Sequence, residues 1–311
     1  MFPEIRDAAN RHMTAPPSET RSIVQMLLSV VLFASNALLV RGLALHYPAA
    51  DGWVASLFRG TIGIAVVLSF FGFGRGLQLS RIFTQPLLAV RGLIGGITIL
   101  ILYITVVQLG AARAIVINLS YPMFGSLCAA IWLKEHLPLR SWLWMAAGFA
   151  GLVIFLGADV NGGVGPYDLL ALLGAVLAGV VVTLIRQLRD TEHTSSIYAA
   201  QCVASAMIAF VPAVGPTIKL PPVAFWGMVL AGLIVAGGQL ALTHSFRTLS
   251  VARGSAIQMI LPIITALGAW LLFGETFTVM GLVGAIVTLF ATWRVVAPKA
   301  SPRLASPAQS A

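Results

Sequence analysis

Apolar runs of about twenty residues recur along this chain, separated by short segments that hold most of its charge. At a rise of about 1.5 Å per residue, such a run crosses a hydrocarbon layer of about 30 Å. The pattern predicts ten transmembrane helices, near 23–43, 53–73, 86–107, 113–133, 141–157, 167–187, 196–214, 223–246, 252–273 and 279–297. The period-two alternation of a membrane β-barrel is missing, which leaves helices as the spanning solution.

The chain also repeats itself. Shifted by 140 residues, Ala112 and Arg113 fall on Ala252 and Arg253, Asn118 on Gln258, Pro122 on Pro262 and Glu135 on Glu275, without a gap. Matches held in one register mark a duplication. Each copy, 23–157 and 158–297, holds five predicted helices. An odd number makes the second copy enter the membrane upside down. The expected fold is therefore an all-α polytopic membrane protein built as two inverted five-helix repeats. Many secondary transporters have this architecture, because related halves can expose a central site to either side in turn.

Composition agrees with this pattern: of 311 residues 59% are hydrophobic and 9% charged, with a mean hydropathy of +0.94. That is too little polar surface to cover a water-soluble globule. A net charge of +9 would point to nucleic acid in a soluble protein. Its placement excludes that partner. With the N-terminus inside, Arg75, Arg81, Arg91, Lys134, Arg140, Arg186, Arg189 and Arg294 all fall on the cytoplasmic side, and only Arg41, Arg113 and Lys219 fall outside. This positive-inside bias places both termini in the cytoplasm. The Pro/Ser/Ala-rich ends, 1–22 and 298–311, are expected as disordered tails. The first apolar run has no small-residue cleavage site close behind it and is read as a retained helix. Cys128 and Cys202 fall within spans, without CxxC spacing, and are read as packing residues rather than a disulfide or metal site.

Polar residues inside the spans supply the candidate chemistry. Pro122 and Pro262 have no N–H, so each leaves a carbonyl four residues earlier unpaired, at Asn118 and at Gln258. A kink, with an amide bonded to a neighbouring helix, would explain either copy alone. Their symmetric placement favours a cavity between the repeats. Tyr103 in the third span, and Gln239, Thr243 and His244 in the eighth, are candidates to line it, Gln239 and Thr243 sharing a helix face. Asn36, Tyr121, Tyr198 and Gln201 are weaker candidates, Tyr198 being as readily an interfacial anchor. Arg59 is read structurally, as pairing with a carboxylate or snorkelling outward. Glu135 and Glu275, at helix ends, are read as caps or local ion pairs. Glycine-rich faces at 148–151 and 236–238, and Gly281 with Gly284, permit close contact within the bundle or between protomers.

No phosphate loop, HExxH or GxSxG motif is present, which argues against ATP hydrolysis and a membrane protease; no cofactor or metal is implied. No Asp or Glu lies deep in a span, leaving His244 as the titratable candidate for proton coupling, with facilitated diffusion as the other route. An amide-lined, uncharged cavity suits a zwitterion or neutral polar molecule better than a phosphate. The partners implied are a small-molecule substrate and the lipid bilayer. A carrier is favoured over an open channel, which saturation and counterflow would distinguish.

The stretches ARAIVINLSYPMFGSLCAAIWLKEHL and ARGSAIQMILPIITALGAWLLFGETF, with FASNALLVRG in the first span and SLFRG in the second, resemble EamA-type members of the drug/metabolite transporter superfamily. The similarity runs over 23–297. It implies a ten-helix exporter, usually of a bacterial inner membrane, moving small metabolites by alternating access. Substrates in that family include amino acids, nucleosides and drug-like compounds. The branch exporting aromatic and other neutral amino acids is the expected one.

Overall fold

The computed structural model describes residues 19–71, 81–132, 134, 139–157, 164–188, 192–245, 249 and 257–296, and all regular structure among them is helical. The helices are α1 (Glu19–His46), α2 (Gly52–Phe71), the one-turn α3 (Arg81–Thr84), α4 (Pro86–Leu109), α5 (Ala111–Asn118) and α6 (Tyr121–Trp132). They continue as α7 (Leu139–Gly157), α8 (Pro166–Leu188), α9 (Thr194–Ile218), α10 (Pro222–Ser245), α11 (Leu261–Phe273) and α12 (Val279–Val296). Eight stretches are long and apolar enough to cross a membrane, one of them 111–132, which contains α5 and α6; 261–273 and 279–295 are shorter apolar helices. The outer surface is itself apolar, with Val211, Trp226, Ile263 and Leu271 projecting outward. This is a multi-pass membrane protein.

Three expectations need correction. Residues 19–22 belong to α1 rather than to a tail, and α3 had no counterpart in the pattern. The fourth predicted span is not continuous: the Ser120 N–H donates to the Ile117 carbonyl and the Met123 N–H to that of Ser120, replacing the α-helical ladder with tighter bonds. Pro122 explains the break, since it cannot supply the N–H that residue 118 requires. In the second copy the Ile260 N–H donates likewise to the Ile257 carbonyl, and Pro262 sits in the first turn of α11, where its missing donor costs nothing. Residues 252–256, Glu135 and both extreme tails lie outside the described residues.

The two sequence halves interleave. The most extensive helix contacts each join a helix of the first half to one of the second: α7 with α12, α2 with α9, α1 with α10, and α4 with both α8 and α9. Exchanging each helix for its counterpart in the other half maps α7–α12 and α2–α9 onto themselves, α1–α10 onto α4–α8, and α4–α9 onto a further contact, α2–α10. Glycines permit the closest of these approaches. A Cβ on Gly60 of α2 would lie 2.6 Å from the Ala206 nitrogen and 2.7 Å from the Cys202 carbonyl of α9. One on Gly284 of α12 would meet the Phe155 backbone of α7. Gly60→Ala must therefore push α2 off α9, an overpacking cost of about 1–3 kcal/mol. A melting temperature lowered by about 5 °C is expected. Gly157→Ala, where nothing lies within 4 Å, should leave it unchanged; equal melting of the two variants would refute the seam.

Candidate functional site

A chain of polar side chains crosses the apolar centre of the bundle. Its anchor is Asn36, midway along α1, whose amide donates to the Ala231 carbonyl of α10 at 2.9 Å. The Tyr103 hydroxyl of α4 donates to Asn36 Oδ1 at 3.0 Å, and Arg59 Nη1 of α2 donates to that hydroxyl at 3.5 Å. The Arg59 guanidinium also lies over the Tyr103 ring, 5.9 Å from its centroid. All three are closed off from solvent: relative exposure is 4% for Asn36, 2% for Tyr103 and 8% for Arg59. Residues 36, 59 and 103 come from the first half and 231 from the second, so the chain ties the halves together.

Arg59 changes the chemistry expected here. It neither snorkels outward nor meets a carboxylate: among the described residues, the ion pairs are Arg41–Glu275, Arg81–Glu192 and Arg113–Asp168. The centre is thus cationic, not an uncharged cavity. Arg91, expected at the cytoplasmic start of the third span, lies in the second turn of α4 and is buried at 5% exposure, donating through Nη1 to the Ile197 carbonyl at 2.9 Å. Sequence reasoning also undervalued the face of α9 that meets these arginines. Tyr198, Gln201, Cys202 and Ser205 recur at i, i+3, i+4 and i+7, and that spacing was the available signal. Tyr198 is buried rather than anchored at an interface, and the Ser205 hydroxyl meets that of Ser56 at 3.2 Å.

The remaining candidates divide. Tyr121, at the start of α6, reaches Gln258 Oε1 across the repeats at 3.4 Å, and Tyr121 packs against the same apolar cluster that contains Tyr103. Asn118 ends α5, half-buried, beside the break. Gln239 is half-buried on α10, about 12 Å along the axis from Ala231. His244 is not deep: it lies in the last turn of α10, about 20 Å from Ala231, with Nδ1 2.9 Å from Gln25 Oε1 at the start of α1. The Thr243 side chain lies outside the described residues. An apolar groove of about 500 Å³ between α1 and α11, lined by Leu38, Leu39, Leu272 and Phe273, lies on the flank and contains none of these residues.

Glu275 closes one end of the bundle. Its carboxylate accepts from Arg41 Nε at 3.1 Å and from the backbone N–H groups of Ala111 and Ala112 at 3.3 and 3.2 Å, while Arg41 also donates to the Val107 carbonyl. A carboxylate at the N-terminus of α5 satisfies donors the helix cannot pair itself. Gly110 makes room for it, with φ at 94° and no side chain where the carboxylate packs. The capping and ion-pair role read for Glu275 is what the geometry displays.

Known proteins resemble this chain over much of its length. The pseudopaline exporter CntI of Pseudomonas aeruginosa is 26% identical over 277 residues, covering 86% of this chain and 93% of its own length. A riboflavin transporter of Rhizobium johnstonii is 28% identical over 163 residues, covering 52% of this chain and 54% of its own. A crystal structure superposes with a TM-score of 0.57 at 18% identity over 88% of this chain and 94% of that one, a likeness of fold. Residues 20–157 and 165–297 each match the EamA-like transporter family, and the chain belongs to that family.

Proposed function

We propose that this chain is a secondary carrier that exports a small carboxylate-bearing metabolite across the bacterial inner membrane by alternating access, with aromatic and other neutral amino acids the first class to test. The observation that carries the reading is the buried chain from Arg59 through Tyr103 and Asn36 to the Ala231 carbonyl. Arg59 offers a carboxylate a charged donor fork, and Asn36 and Tyr103 offer polar partners close by. Substrate binding there would exchange bonds within the chain for bonds to the ligand. Similarity to an exporter and to a riboflavin transporter supports small organic cargo.

Ten crossings with both termini cytoplasmic are supported by which ends meet. Arg81 with Glu192, and Gln25 with His244, join ends that alternate crossing puts on one side. Arg41 with Glu275, and Arg113 with Asp168, join ends on the other. None of these acids lies in the centre, which favours movement down the metabolite gradient over a carboxylate proton relay. The closed centre also argues against a permanently open pore.

The test is uptake and counterflow of radiolabelled aromatic and neutral amino acids in liposomes holding the purified protein, with and without a pH gradient. Saturable counterflow independent of the gradient is expected, with Asn36→Ala reducing it about tenfold. Flux that stays linear with concentration and shows no counterflow would overturn the carrier reading. Saturable transport of other solutes only would overturn the amino-acid class.

A further inference from the structure

We infer that the cargo carries at least two anionic groups, and that Arg91 with Tyr198 forms a second anion subsite, its backbone about 18 Å along α4 from Tyr103 of the Arg59 centre. The inference rests on the carrier reading and narrows its carboxylate-bearing cargo to solutes with a second anionic group, which a neutral amino acid does not carry. Two buried guanidiniums lie along the same stretch of α9: Arg91 Nη1 donates to the Ile197 carbonyl, and Gly60, next to Arg59, packs against the backbone of Cys202 and Ala206. Neither guanidinium has a carboxylate partner among the described residues. Two polar groups there lack hydrogen-bond partners: the Arg91 Nε and the Tyr198 hydroxyl are both buried and unpaired. Buried donors are nearly always satisfied, and unsatisfied ones mark where another acceptor belongs.

The charge balance points the same way. Asp51 accepts from the Val54 N–H at a helix start, and Asp168, Glu192 and Glu275 are engaged in ion pairs at the bundle ends. An ammonium entering the centre would find no described carboxylate, whereas each anionic group would find an arginine. A net anion fits better than a zwitterion with a single carboxylate. Gln201 adds an amide close by, since a Cβ on Gly95 would contact both its side chain and Arg91 Nη1.

The probes are straight-chain dicarboxylates from malonate to pimelate, with monocarboxylates of matched length, added at constant ionic strength to the full-length protein in lipid nanodiscs. Binding is read from thermal stabilisation. One dicarboxylate length is expected to bind about tenfold or more tighter than its monocarboxylate match. Arg91→Gln should abolish that preference while leaving the monocarboxylate response. Tyr198→Phe should weaken it in the same direction, and Arg59→Gln should remove both responses. Without ligand, Arg91→Gln should melt no lower than wild type, because it removes a buried charge that has no counter-charge. Arg91→Lys and Tyr198→Phe carry the test if the glutamine variant does not fold. Wild-type protein without dicarboxylate preference, or variants that keep it in full, would overturn the inference. Proteoliposome counterflow separates the two readings: amino-acid transport without dicarboxylate preference sinks this inference alone, whereas dicarboxylate binding without any counterflow sinks the carrier reading and leaves the subsite standing.

Discussion

Arg59→Gln is expected to lower apparent affinity for the exported solute by about ten- to a hundredfold, measured as the concentration giving half-maximal counterflow. The magnitude follows from losing one or more hydrogen bonds between a charged donor and a carboxylate, each worth about 1.5–3 kcal/mol, at about 1.4 kcal/mol per tenfold. The same substitution should leave the melting temperature unchanged or raise it. Arg59 is buried, its side-chain hydrogen bond to Tyr103 is long, and no described acid neutralises it, so its contacts with Tyr103 offset only part of the desolvation cost. A structural Arg59 would behave in the opposite way, lowering stability with no selective effect on affinity. Tyr103→Phe, which retains the ring beneath the guanidinium, should cost less than Arg59→Gln.

Glu275→Ala is expected to give the largest loss of stability. It removes the cap of α5 and the partner of Arg41 together, about 2–4 kcal/mol after allowing for side chains that are each 18% exposed. A fall in melting temperature of about 5–10 °C should follow. A double-mutant cycle with Arg41→Ala isolates the pair, since the second substitution should cost markedly less once the first is made. Additive losses would mean that the two side chains stabilise the bundle independently.

The spans and the duplication were legible because both leave a mark on residue order: apolar length for the helices, and a fixed shift of 140 for the repeat. Pro122 also announced the break between α5 and α6, through a hydrogen bond that cannot form. Asn36 and Tyr103 stood out as polar residues in apolar runs. Arg59 and Arg91 were harder, because a cation near a predicted span edge reads as snorkelling or as a charge at the membrane surface. Their burial depends on glycines of α2 and α4 drawing α9 into backbone contact, an arrangement between distant segments. His244 shows the complementary failure. It lies only one residue from the end of α10, so its apolar neighbourhood in sequence concealed its remoteness from the centre.

The interleaving of the halves also bears on how the protein is made. As the first half emerges from the ribosome and enters the membrane, the helices it needs as neighbours have not been synthesised. The glycine surface of α2 must wait in lipid for α9, as α7 waits for α12, and Arg59 and Arg91 must reach toward the headgroups until the second half buries them. Folding is therefore completed late. A chain ending near residue 157 has little reason to survive as a five-helix protein, whereas the two halves expressed as separate chains carry matching surfaces and every reason to find each other.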